Sequence, residues 1–214
     1  MDSADLVLGI DLGTTCFKAA LFDRRGVMRG LGRVTLEKDE RDGHLCELPA
    51  DRFWGSLREA IDQALEGARA RADSICAVSY SSQANSFLLL DEHETPLTPL
   101  VLWPDRRALE LPPDPRLETL RSRSDFLDTT GLGLHGPEFC VDKLAWFQRR
   151  YPVLWGACSR IQTISDHLVF SLTGMKAGDQ GTAALLGLWD LSSGGWWDEG
   201  LKAVAIRPDQ LSQP

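Results

Sequence analysis

Asp11 closes an apolar run and is followed at once by a glycine and two hydroxyls, in Gly9-Ile10-Asp11-Leu12-Gly13-Thr14-Thr15. A second apolar run comes next and carries one basic residue, Lys18. The pattern predicts strand, tight turn, strand, with every group able to handle phosphate gathered at the turn. Gly13 lets the backbone turn sharply and approach a ligand. Successive backbone N–H groups in such a turn form an anion-binding concavity, and Thr14 and Thr15 add hydroxyl donors. A bare phosphate would be repelled by Asp11. The carboxylate makes sense with a cation in between, and Mg²⁺ held through waters is the usual solution. A β-hairpin with a merely polar turn accounts for the same residues.

Other chemistry is thinly supported. No G-x-x-x-x-G-K-[ST] loop occurs. A G-x-G-x-x-G does, at Gly131-Leu132-Gly133-Leu134-His135-Gly136, but Phe126-Leu127-Asp128-Thr129-Thr130 before it is no convincing buried strand. A dinucleotide site therefore lacks its required context, and the segment reads as a glycine-rich connection. Cys16, beside the turn, reads as a small residue facing a strand pair rather than a nucleophile. The five cysteines (Cys16, Cys46, Cys76, Cys140 and Cys158) are scattered without a C-x-x-C, which predicts free thiols in a reducing cytoplasm. His44, His93, His135 and His167 show no metal-ligand spacing. A net charge of -8 over 214 residues argues against a nucleic-acid partner, so a polyanionic ligand must be met by local donors and a metal. No apolar run approaches the roughly 20 residues that span a bilayer. The acidic start Met1-Asp2-Ser3-Ala4-Asp5 leads straight into a strand, and no signal peptide is expected.

The elements that must position these residues follow from periodicity. After the first hairpin, residues 27–36 read as a third strand of an antiparallel meander, and residues 37–46 as a polar loop. Phe53, Leu57, Ile61, Ala64, Leu65 and Ala68 recur at helical spacing, which predicts an amphipathic helix over 49–71 opened by Pro49. Residues 75–80, 87–90 and 100–103 read as short strands, and 111–115 as a loop. Residues 139–150 predict a helix ending before Pro152. Asp166 is expected to cap a helix over 168–172 that Gly174 ends. Residues 178–188 read as partly helical and 196–204 as a short helix. The tail 207–214 is expected to stop without a closing element. Strands first and helices later give a mixed α/β domain.

Several segments in colinear order, from about residue 6 to 201, make the chain resemble the N-terminal domain of the FGGY carbohydrate kinases, the family of xylulokinase, gluconokinase and glycerol kinase. They are Gly-Ile-Asp-Leu-Gly-Thr-Thr at 9–15, Glu47 with Pro49 and Phe53-Trp54, and Ser82-Gln83-Ala84-Asn85. Leu102-Trp103-Pro104-Asp105-Arg106-Arg107 and Lys143-Leu144-Ala145-Trp146 follow. Asp166-His167-Leu168, Leu172-Thr173-Gly174 and Asp179 with the small residues after it complete the set.

The resemblance implies an α/β, actin-like ATPase (ribonuclease-H-like) domain over residues 1–214, a mixed sheet flanked by helices. It implies transfer of the γ-phosphoryl of ATP to a sugar or polyol hydroxyl. Asp11 would be the catalytic residue that positions Mg²⁺. Gly13, Thr14, Thr15, Cys16 and Lys18 would meet the nucleotide phosphates, although Lys18 also reads as a strand-surface lysine. Gln83, Ala84 and Asn85, with Trp103, Asp105 and Arg106, would build the sugar side. Polyhydroxylated ligands need amides, a carboxylate and a guanidinium as paired donors and acceptors. Trp103 would offer an apolar face, and it reads equally as a core aromatic. One of Arg106 and Arg107 is expected to be a surface residue only.

The departures shape the rest. Xylulokinase-like members carry Met-His, and glycerol-kinase-like members Arg-Glu, where this chain has Ala84-Asn85. The Tyr that glycerol kinases place near Gly136-Pro137 is lacking, which argues against glycerol and for a pentulose such as xylulose or a gluconate-like substrate. Family members run to roughly twice this length. Their second domain carries the adenine pocket and the catalytic aspartate of a G-G-G-D stretch, so the chain alone is expected to be inactive and that domain to be its partner. No nucleic acid and no membrane are expected, the location is expected to be cytoplasmic, and a homodimer stays open. Two alternatives remain: a heat-shock-70-like chaperone ATPase domain, which opens on nearly the same residues, and a non-catalytic sugar-binding regulatory domain.

Overall fold

Leu6, Leu8, Ile10 and Leu12 are buried while Val7, Gly9 and Asp11 between them stay half-open, so the first strand has one core face and one open face. A computed structural model describes residues 5–133 and 136–214. It runs β1 (Leu6–Leu12), β2 (Cys16–Phe22), β3 (Met28–Thr35), β4 (Asp39–Arg41), β5 (Leu45–Leu48), α1 (Ala50–Ala68), β6 (Ile75–Ser82), β7 (Phe87–Leu90) and β8 (Leu100–Val101). Then come α2 (Pro115–Arg121), α3 (Phe126–Thr130), α4 (Cys140–Arg150), α5 (Pro152–Ala157), β9 (Arg160–Thr163), α6 (Ile164–Thr173), α7 (Gln180–Leu185), β10 (Trp189–Asp190), β11 (Gly195–Trp196) and α8 (Asp198–Ala203). The chain divides into two compact units. One holds the residues up to Lys38 with Leu48–Gln83, the other Asp39–Glu47 with Ala84–Pro214.

In the first unit the sheet order is β3-β2-β1-β6, antiparallel through the meander and parallel between β1 and β6. Helix α1 packs on β2 and β3, and Phe17 meets Phe53 edge-on at 5.2 Å. Two glycines of β3 allow that approach. A Cβ on Gly30 would lie 2.0 Å from the Ala64 carbonyl oxygen, and one on Gly32 would lie 1.9 Å from that of Ala60. The helix therefore buries Phe53, Leu57, Ala60 and Ala64, and Ile61 sits to the side.

In the second unit the sheet order is β4-β5-β8-β7-β9. Strand β7 is buried at every residue and pairs antiparallel with β9. Helix α4 lays Val141, Leu144, Ala145, Trp146 and Phe147 into the core that also takes Phe87, Leu89, Val101 and Ile161.

Four expectations change. Residues 37–46 are not all loop. Strands β4 and β5 form a hairpin in the register Asp39↔Glu47, turned by Asp42 and Gly43 at φ 52 and 67. Asp166 does not cap its helix. Thr163 is the cap of α6, and Asp166 returns a bond to the Thr163 N–H as the third residue of a capping box. Pro115 belongs to α2, whose cap is Asp114. The tail has a closing element, a short turn at Pro208–Gln210 and a bridge between Gln213 and Ala177. Residues 126–130 are helix rather than the strand a dinucleotide loop requires. Leu134 and His135 of that glycine motif lie outside the described residues, as do Met1 to Ala4.

Candidate functional site

Cα pairing across the first sheet places Asp11 between Lys18 on β2 and Ser81 on β6. Lys18 Nζ donates to Asp11 Oδ2 at 2.8 Å, and Ser81 Oγ stands 3.4 Å from Oδ1. Both members of the ion pair are a little over 40% exposed, at 43% for Lys18 and 42% for Asp11. The bond to Asp11 and its charge hold the Lys18 ammonium above the ordinary lysine range. The pair lies in an open depression of about 370 Å³ whose lining includes Gly9, Ala20, Ser79 and Ser81. Ser79 and Ser81 were not singled out from the sequence. Alternation along a strand parallel to β1 is the signal that would have found them.

The turn after β1 is tied down by Gln83, the first residue past β6. Its backbone N–H donates to Leu12 O at 2.9 Å, its Nε2 to Gly13 O at 3.3 Å, and its Oε1 accepts from Thr14 Oγ1 at 3.2 Å. Gln83 thus braces the turn with its backbone N–H and both ends of its amide. Glycine is required at 13 by crowding. A Cβ there would meet the Cys16 carbonyl oxygen at 2.8 Å. Thr15 is exposed and Thr14 half-buried. Cys16 is 6% exposed, so its thiol sits in the interior as a small strand residue.

In the second unit the expected sugar-side residues separate into two kinds. Trp103 is 46% exposed, which sets aside the core-aromatic reading, and Arg106 is exposed. Ala84 is half-buried. Asp105 and Asn85 point their polar atoms into the protein. Asp105 is fully buried, and its carboxylate accepts from Cys46 N at 2.7 Å and from Arg107 Nε and Nη2 at 2.8 and 2.9 Å. Arg107 also reaches Glu47 at 2.6 Å and stacks at about 5 Å over Trp146 and Phe147. Burial pulls the Arg107 pKa down, and the bonds to Asp105 and Glu47 outweigh it, so the guanidinium stays charged. Arg106 is therefore the surface member of the arginine pair and Arg107 the interior one. Asn85, at φ 58, spans the start of α4: its Nδ2 donates to Glu138 O, and its Oδ1 accepts from Cys140 N, both at 2.8 Å. The arrangement exposes an indole and a guanidinium on a corner built by buried charges.

Among the described residues no group of three or more His, Cys, Asp or Glu could hold a metal. The five cysteines are free, and all but Cys76 are buried. No helix among the described residues is long and apolar enough to cross a membrane.

A model of the N-terminal domain of the FGGY family of carbohydrate kinases matches residues 6–213. The glycerol kinase of Trichlorobacter lovleyi is 30% identical over 97% of this chain and 42% of its own length. That of Deinococcus radiodurans is 28% identical over 96% and 42%. Among solved structures, a xyloylose kinase from Brucella ovis superposes with a TM-score of 0.87 at 24% identity, over 97% of this chain and 42% of that one. A gluconate kinase from Lactobacillus acidophilus gives 0.84 at 23%, over 97% and 41%. The chain thus spans less than half the length of these relatives, and its fold is the actin-like α/β fold they share.

Proposed function

The chain belongs to the FGGY family of carbohydrate kinases, and we propose that it supplies the phosphate-and-acceptor half of an ATP-dependent sugar or polyol kinase. The single observation that carries this reading is the Asp11–Lys18 pair at a hairpin whose turn is braced by Gln83. A lone carboxylate on an open depression does not enclose a metal by itself. It does fit Mg²⁺ that arrives on nucleotide phosphates and touches the protein through water. Bound there, the ion would neutralise charge on the phosphates being transferred.

The remaining steps belong to the protein's own groups. Asp11 orients the phosphate side, with Lys18 holding one of its oxygens and Ser81 approaching the other. Lys18 supplies a local cation in a chain whose net charge is -8. Turn N–H groups and the Thr15 hydroxyl donate to phosphate oxygens, while the Thr14 hydroxyl, which donates to Gln83, holds the turn in shape. Cys16 lends backbone at this turn. On the acceptor side, Trp103 lies against the C–H face of a carbon chain and Arg106 donates to its hydroxyls. Ala84 leaves space there, while Asp105 and Asn85 act by shaping the corner. Phosphoryl transfer depends mostly on positioning and electrostatics, yet the attacking hydroxyl still needs a base. That base and the adenine pocket belong to a second domain, so residues 1–214 form the N-terminal domain and turn over little alone.

A pentulose such as xylulose, or a gluconate-like acid, is favoured over glycerol, because the Tyr that glycerol kinases place near Gly136-Pro137 is lacking. Ala84-Asn85 does not decide among them, and the Asn85 amide bonds to the backbone at Glu138 and Cys140. The test is ATP consumption with xylulose, gluconate and glycerol, by this chain and by the full-length kinase. Sugar-dependent turnover by the longer protein alone is the expected result. Robust turnover by these 214 residues would overturn the division of labour, and binding of sugar without turnover in either would favour a non-catalytic sensor.

A further inference from the structure

Lys143 is fully buried on α4, and its ammonium is aimed at backbone rather than at a carboxylate. Nζ donates to the carbonyl oxygens of Leu102 at 3.0 Å and Trp103 at 3.2 Å. Burial pushes its pKa below the ordinary lysine value, with Asp105 pulling it back up and Arg107 pushing it further down. Asp105 and Arg107 already satisfy each other, and Glu47 completes their network. Two carboxylates against one guanidinium leave that network one cation short, and Lys143 balances the charge from a distance while its bonds go to backbone.

What an apolar residue could not supply is a pair of donors on two successive carbonyls. Residue 104 is proline and has no N–H to anchor this corner. The Trp103 N–H is held instead by Ser86 Oγ at 2.9 Å, and Ser86 is itself fully buried. The backbone of Trp103 is thus gripped on its N–H side by Ser86 and on its carbonyl side by Lys143, while the indole projects outward.

We propose that Lys143 is a positioning residue for acceptor recognition, fixing the corner so that the Trp103 indole and Arg106 face the acceptor at a set angle. This rests on the reading that the corner meets the sugar. In the full-length kinase, Lys143→Met removes both donors, and Lys143→Gln is the milder replacement. Leu144→Ala, from the same helix and equally buried, controls for lost stability. The Trp103 emission is isolated by subtracting the spectrum of the Trp103→Phe version of each protein.

The expected result is a KM for xylulose or gluconate raised about ten- to hundredfold in folded Lys143 variants. The KM for ATP should stay within about twofold, since uniform loss of fold would move both. The Trp103 emission should shift in the Lys143 variants and not in Leu144→Ala. Equal rises in both KM values, or an emission change that Leu144→Ala reproduces, would overturn the proposal. If Trp103→Phe leaves the acceptor KM unchanged, the corner does not meet the sugar, and that earlier reading fails. A shifted emission in Lys143→Gln would then still show that Lys143 sets the corner.

Discussion

Replacing Arg107 with Met removes a cation from between two carboxylates while keeping an unbranched stem to lie on Trp146 and Phe147. The two carboxylates fare differently. Glu47 is 14% exposed and recovers water, whereas Asp105 is wholly buried and keeps only the Cys46 N–H and its own local turn as partners. Breaking a buried pair by removing one partner costs about 3–5 kcal/mol, most of it the stranded charge. At roughly 2–4 °C per kcal/mol for a chain of this length, Tm should fall by about 6–20 °C. The assay is thermal and urea unfolding of Arg107→Met beside the double variant with Asp105→Asn. An amide at 105 still accepts from Cys46 N and carries no charge, so the double variant should recover more than half of the loss. A single variant within about 1 kcal/mol of the parent, or no recovery in the double, would refute the argument that Asp105 is there to hold Arg107.

Four further outcomes follow from the packing and the titrations. Gly32→Ala should destabilise the first unit by about 1–3 kcal/mol or more, because its Cβ would overlap the Ala60 carbonyl, and urea unfolding followed at Trp54 reports it. His167 is buried beside Gln162, and burial lowers its pKa to about 4 from an ordinary 6.5. The unfolded chain therefore takes up its proton first as pH falls. Stability should drop by on the order of 3 kcal/mol between those values, and His167→Gln should abolish this drop in pH-dependent melts. Asp166 runs the other way. Burial raises it to about 6, so the folded state binds the proton more tightly, and Asp166→Asn should remove a stabilisation that appears as pH falls from about 6 toward 4. Asn85→Ala should cost about 1–2 kcal/mol through two lost bonds to the start of α4 and a strained φ of 58, with Asn85→Gly restoring only the backbone part, as measured by unfolding.

The first hairpin was legible because an apolar run, a glycine and hydroxyls, and a second run give strand and turn directly. Helix α1 was legible from the spacing of Phe53, Leu57 and Ala64. Its exact face was not, because Gly30 and Gly32, on a strand 34 and 28 residues before Ala64 and Ala60, draw Ala60 inward in place of Ile61. The β4–β5 hairpin was hidden by polar strands, although Asp42-Gly43 is a turn signal. At the candidate site, the closeness of Asp11, Lys18 and the turn was legible from local pattern. The partners of Gln83, Asp105 and Asn85 were not, since only folding brings them near. Arg106 and Arg107 are neighbours of one chemistry, and a single 3₁₀ turn at Arg107–Glu110 sends one inward and leaves the other outside. Lys143 stands among apolar residues of α4, and the carbonyls it reaches lie about 40 residues earlier, so nothing local in the sequence marks its partners.

The most direct test of the reading is phosphoryl transfer to xylulose, gluconate and glycerol by the full-length kinase, beside its Asp11→Ala variant, with sugar phosphate as the measured product. The account predicts transfer to at least one of these acceptors and a fall in kcat of on the order of 100-fold or more without Asp11, with the fold intact. Phosphate release with no sugar phosphate formed, or a variant that transfers at a near-normal rate, would contradict it.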